Sequence, residues 1–216
     1  MLSKLDKLPF INQKNALILL IAMHVAGIIG LSFEASRAIF QALTPFNLLA
    51  TAAIVLHFEE EKSPRYFAFI FITFLVGFFA EVIGVKTGIF FGEYYYGNTL
   101  GWKVLDVPIA IGLNWVIMIY TTGLFARSVT NSKYYAIVLG AILMAAIDIF
   151  IEPVAIKLDF WQWAEATVPL RNYLGWFVLS LLLHFFFSFS MPKSNNSLAI
   201  RLLYILILFF IILNII

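Results

Sequence analysis

Three carboxylic acids stand where carboxyls are rarely tolerated. Glu81 lies in Phe78-Phe79-Ala80-Glu81-Val82-Ile83, and Asp148 lies in Ala145-Ala146-Ile147-Asp148-Ile149-Phe150. Glu152 follows four residues after Asp148. A carboxyl near the bilayer centre costs about 2.5–3.5 kcal/mol on insertion scales, so it faces the interior of a bundle and marks a function. Spacing of four puts Asp148 and Glu152 on one helical face, one turn apart. Burial and a neighbouring carboxyl both favour the protonated form of a carboxyl. Such a cluster can keep an acid protonated near neutral pH, as a general acid requires. The chemistry this suits is proton transfer to a carbon–carbon double bond of an apolar substrate. Aromatic faces and a carboxylate would stabilise the cation, and water or an internal double bond would quench it. The remaining acids of that half, Glu34, Glu93, Asp106, Asp159 and Glu165, are expected to pair with Lys86, Lys157 or Arg171 or to reach the interface.

Aromatic residues crowd the same half. Trp102, Trp161, Trp163 and Trp176 lie near one side, with Trp115 about two turns inward and Tyr94, Tyr95, Tyr96 and Tyr173 beside them. An interfacial belt should occupy both faces, yet the other side has tyrosines and no tryptophan. The alternative is an aromatic pocket for a flat apolar ligand. Asn114 and Asn172, near the starts of their spans, could bind water or cap a helix.

Other chemistries are excluded. There are no cysteines, so disulfides, thiolate metal sites and Cys nucleophiles are absent. His24, His57 and His184 are too far apart in sequence to share a helical face. No G-x-G-x-x-G follows a strand, and there is no P-loop. No Asp-x-x-x-Asp pair is present to hold magnesium diphosphate. Neither a metal nor a cofactor is expected.

These residues need a scaffold, and composition specifies it. The 216 residues are 62% hydrophobic and only 12% charged, whereas a soluble domain is about a quarter charged. A soluble enzyme and a nucleic-acid binder are both excluded. The expected fold is all-α, one integral membrane domain over 1–216. A span needs about 20 apolar residues, and seven fit: 16–33, 42–58, 66–85, 107–126, 134–156, 172–190 and 198–216. The second has an unclear start, because Pro45 and Asn47 interrupt it. Nine basic residues (Lys4, Lys7, Lys14, Lys62, Arg65, Arg127, Lys133, Lys193, Arg201) fall on the N-terminal side and five (Arg37, Lys86, Lys103, Lys157, Arg171) on the other. That bias predicts a cytoplasmic N-terminus in a multi-pass cell-membrane protein. All three buried acids then sit toward the outer ends of their spans. Val107-Pro108 followed by Leu113 and Trp115 matches Val168-Pro169 followed by Leu174 and Trp176. Spans three–four and five–six therefore read as a possible duplicated hairpin, with each Pro in a first helical turn.

Residues 81–96 (Glu81-Val82-Ile83-Gly84-Val85-Lys86-Thr87-Gly88-Ile89-Phe90-Phe91-Gly92-Glu93-Tyr94-Tyr95-Tyr96), then Leu100-Gly101 and Val107-Pro108 ahead of Trp115, resemble the membrane carotenoid hydratase family. Asp148-Ile149-Phe150-Ile151-Glu152-Pro153-Val154-Ala155 with Trp161-Gln162-Trp163 resembles the same family's second block. The resemblance spans roughly 75–180. It implies addition of water across the terminal double bond of an acyclic carotenoid end. The implied partners are a carotenoid and membrane lipid, with other carotenoid-pathway enzymes as further candidates. It carries no agreed catalytic assignment, so the site rests on the physical argument. Asp148 or Glu81 is the expected proton donor, and Glu152 its partner. Tyr94, Tyr95, Tyr96, Trp102, Asn114, Trp115, Trp161, Trp163, Asn172 and Trp176 are the expected substrate-contacting set. A small membrane carotenoid cyclase shares the first step. A transporter and a non-catalytic carotenoid-binding protein stay open as other classes.

Overall fold

The computed structural model describes residues 12–165 and 167–216. Lys4, Asp6 and Lys7, three of the charges on the N-terminal side, lie outside the described residues. Among the described residues, seven helices are long and apolar enough to cross a membrane. They are α1 (Gln13–Ser32), α2 (Glu34–His57), α3 (Pro64–Thr87), α4 (Ile109–Val129), α5 (Lys133–Lys157), α6 (Leu170–Ser190) and α7 (Ser197–Ile215). Helices are the only spanning elements whose backbone groups are satisfied within each segment. The protein is a multi-pass helical membrane protein.

The second span differs from the expectation. It begins at Glu34 rather than 42, and only Phe33 separates it from α1. Ser36 Oγ and Arg37 Nε fold back onto the Gly30 and Leu31 carbonyls (2.8 and 3.0 Å), which closes a tight antiparallel hairpin. Pro45 lies inside α2. Its ring removes one backbone bond, and a helix packed among other helices tolerates that loss.

Helix α4 is the axis of the molecule. Every residue from Trp115 to Leu124 is buried, and α4 packs against α2, α3, α5, α6 and α7. Helix α1 packs on α2 and α7. At the N-terminal side, the α2–α3 and α6–α7 connections are tied to α4. Glu59, first of the Glu59-Glu60-Glu61-Lys62 run, is buried and accepts from Tyr120 Oη (2.5 Å), Ser194 Oγ and the Glu61 amide (3.0 Å). Asn196 caps α7 through its side-chain oxygen and donates to the Val55 carbonyl (2.8 Å).

The opposite end carries the two long connections, and they pair. Strand β1 (Tyr94–Tyr96) runs antiparallel to β4 (Trp161–Trp163), with Tyr95 opposite Gln162. Gly97 continues the ladder to the Phe160 carbonyl (2.9 Å), and a Cβ there would lie 2.2 Å from the Asp159 carbonyl oxygen. Only glycine fits so close an approach. A small hairpin, β2 (Lys103–Val104) and β3 (Val107–Pro108), turns at Leu105 and Asp106. Both turn residues have positive φ (54° and 70°), as a two-residue type I′ turn requires. Lys86 pairs with Asp106, the one ion pair among the described residues. Pro108 and Pro169 stand as N-caps, one position ahead of the first turns they were expected to occupy.

Asn196→Ala removes the α7 cap and the side-chain bond to the Val55 carbonyl, which keeps only the Phe58 amide. The expected loss is about 1–3 kcal/mol, measured as a lower thermal midpoint of the detergent-solubilised protein. An unchanged midpoint would show that this tie contributes nothing.

Candidate active site

Side chains alternate faces along a strand. In the β1–β4 pair, Tyr94 opposes Trp163 and Tyr96 opposes Trp161. All four therefore point the same way, into the bundle, while Tyr95 points outward and is 59% exposed. Tyr94 Oη and Tyr96 Oη both donate to Glu81 Oε2 (2.5 and 2.8 Å). Trp161 Nε1 and Trp163 Nε1 both donate to Glu152 Oε2 (3.0 and 2.8 Å).

The helices complete each set. Trp115 Nε1 of α4 donates to Glu81 Oε1 (3.0 Å). Asn172 Nδ2 of α6 donates to both Asp148 Oδ2 (2.6 Å) and Glu152 Oε1 (2.8 Å). Trp115 and Trp176 stack with ring centroids 4.7 Å apart. Gly77 makes room, since a Cβ there would lie 2.4 Å from the Trp115 ring. Glu81, Asp148 and Glu152 are all fully buried, as are Trp115 and Asn172. None of the three acids has a basic partner among the described residues.

The three acids differ in the donors that reach them. Tyrosine carries its hydroxyl at the tip of the ring, whereas the indole N–H sits on the ring's flank. The tyrosines of β1 reach Glu81, but the tryptophans of β4 reach only Glu152, one turn nearer the strand. Glu81 and Glu152 each accept three side-chain hydrogen bonds. Asp148 accepts one, from Asn172, and its Oδ1 is buried with no partner.

A cavity of about 430 Å³ lies beside this cluster, between α1, α2, α4 and α7, within the usual range for ligand pockets. Its walls are mainly apolar, including Leu31, Phe40, Leu43, Ile117, Met118 and Phe209. Of the expected substrate-contacting residues, Asn114 and Trp161 line it. Tyr94, Tyr96, Trp115, Trp163 and Asn172 instead hold the acids, and Trp176 backs Trp115. Trp102 is 88% exposed and neither lines the cavity nor donates to the acids. Trp161 joins the two regions: its ring walls the cavity and its N–H holds Glu152. The cavity itself escaped the sequence reading, because its lining is ordinary apolar helix from α1, α2 and α7.

Burial, and then the Glu81 carboxyl beside them, push the Tyr94 and Tyr96 hydroxyls well above the ordinary tyrosine value. Unfolded tyrosines ionise near pH 10, while these two keep their protons in the folded chain. Their contribution to stability is complete below about pH 10 and is lost as pH rises toward their native values. Alkaline titration in detergent is expected to show a falling thermal midpoint above about pH 10. That slope should shrink when Tyr94→Phe and Tyr96→Phe are combined. An unchanged slope would contradict the assignment.

The sequence profile of carotenoid biosynthesis proteins matches residues 42–216. A bisanhydrobacterioruberin hydratase from Haloarcula japonica is 25% identical over 125 residues. That match covers 53% of this chain and 42% of the relative, so the chain aligns with less than half of that protein's length. No solved structure matches the chain. The paired aromatic strands, the buried acids they hold and the central α4 all lie within the matched residues, and the chain belongs to the carotenoid biosynthesis protein family.

Proposed function

We propose that the protein hydrates the terminal double bond of an acyclic carotenoid end, with Asp148 as the proton donor. The observation that carries the assignment is the unpartnered Asp148 Oδ1. Glu81 and Glu152 have their oxygens occupied by Tyr, Trp and Asn donors, an arrangement suited to a carboxylate. Asp148 has one oxygen free to hold a proton and deliver it. The Oδ1–H bond breaks as the proton joins the less substituted alkene carbon, which leaves a tertiary cation. Water adds to the cation and returns its surplus proton to the Asp148 carboxylate. The balance is one alkene plus one water, with no redox change.

The other parts support this reading. Glu81 places negative charge near the cation, and the Trp115–Trp176 stack offers π-faces. The apolar cavity suits a polyene segment. Trp161 borders both the cavity and Glu152, so an end group lying there sits next to the acid cluster. The name of the Haloarcula relative supports hydration over cyclisation. We further place the N-terminus in the cytoplasm. Among described bases, Lys14, Lys62, Arg65, Arg127, Lys133, Lys193 and Arg201 lie on that side, against five at the strand-bearing end.

Expression in a host that accumulates an acyclic carotenoid tests the chemistry. A product heavier by one water is expected; an isomer of unchanged mass would overturn hydration in favour of cyclisation. Asp148→Asn is expected to lower turnover at least 100-fold while the protein still inserts. Full activity of that variant would remove Asp148 from the mechanism. Glu81→Gln should lower turnover less steeply, because it leaves the proton donor in place.

A further inference from the structure

Several polar residues that line the apolar cavity have no part in the proposed reaction: His24, Thr44, Asn47, Thr51 and Asn114. Of these, His24 lies on α1 and Asn47 on α2. The Leu20 carbonyl lies 2.8 Å from His24 Nδ1. A carbonyl oxygen only accepts, so Nδ1 carries the proton and Nε2 of the neutral ring is an acceptor. Asn47 Oδ1 is occupied by the Thr51 hydroxyl (3.1 Å), which leaves the Asn47 amide hydrogens as donors. Neither Nε2 nor Nδ2 has a protein partner among the described residues.

Both side chains lie near Gly27. His24 and Gly27 are three residues apart on one face of α1, and a Cβ at Gly27 would lie 4.0 Å from Asn47 Nδ2. The Phe209 ring contacts both His24 (ring centroids 5.5 Å) and Gly27. One unfilled acceptor and one unfilled donor thus face an apolar space. Buried polar groups normally find partners, and leaving them bare is costly. A hydroxyl matches both kinds of group, since its O–H can donate to Nε2 and its oxygen can accept from Nδ2.

We propose that His24 and Asn47 form a hydroxyl-binding subsite within the cavity. Its ligand is an O–H oxygen, supplied either by an alcohol on the isoprenoid chain or by water. Its role in turnover rests on the hydratase reading; its binding chemistry does not.

Binding of radiolabelled farnesol to the detergent-solubilised full chain tests the proposal. Competitors are farnesol, farnesyl methyl ether and farnesene, each corrected for partition into protein-free micelles. The ether accepts but cannot donate, and the hydrocarbon does neither. The native chain is expected to rank alcohol over ether over hydrocarbon, with the extremes roughly tenfold apart. Equal competition by all three in the native chain overturns the subsite without any variant. His24→Phe and Asn47→Leu should each reduce the alcohol preference while hydrocarbon affinity stays within about threefold; full preference in both variants also overturns it. A turnover arm separates the two ligand sources. If Asn47→Leu slows conversion of an unhydroxylated carotenoid, the subsite holds water. If it slows only a monohydroxylated one, the subsite holds the substrate alcohol. A native chain that hydrates its carotenoid but shows no alcohol preference overturns the subsite alone; one that shows the preference but forms no hydrated product overturns the hydratase reading alone.

Discussion

Buried carboxyls in an apolar bundle demand hydrogen-bond donors, and that demand organises one end of this protein. Lipid supplies none, and no basic side chain is within reach. The donors come from tyrosine, tryptophan and asparagine, whose bodies are compatible with an apolar interior and whose polar atoms are few. Four of these donors sit on two short strands, which must pair so that their side chains aim inward together. The β1–β4 ladder exists between helices of a membrane protein because the acids require it. Gly97 and Gly77, the latter under the Trp115 ring, let the ladder and the stack approach so closely.

The same constraint sets the acids apart. The β1 strand carries tyrosines and the β4 strand tryptophans, and the two differ in how far their polar atoms extend. These donors satisfy Glu81 on one side and Glu152 on the other, and leave one Asp148 oxygen without a partner among the described residues. At the other end of the bundle, Glu59 is held by Tyr120 and Ser194, yet there the arrangement ties loops to α4 and leaves neither carboxylate oxygen without a donor.

Much of this was readable from residue order. Seven apolar stretches, three acids embedded in them and a lopsided set of aromatics follow from composition and spacing, because the bilayer penalises polar groups wherever they lie. Their common depth followed from counting residues to the span ends. The start of α2 did not follow, since Pro45 and Asn47 are ordinary helix interrupters in water and are tolerated here by packing. Nor did the burial of Glu59, because a run of three glutamates and a lysine reads as solvated whichever member turns inward.

Residue types and order therefore settled that this is a helical membrane protein with acids in its core. Those properties depend on transfer energies and helical period, which are local. Three-dimensional packing settled which acid lacks a partner, which aromatics serve as donors rather than as a pocket, and where the cavity lies. Those properties depend on contacts between segments far apart in the chain. Tyr95 and Tyr96 are neighbours of identical type, yet one faces outward and the other holds Glu81. Only the pairing of residues 94–96 with residues 161–163 sets that difference, and no local pattern encodes the register of two strands 60-odd residues apart.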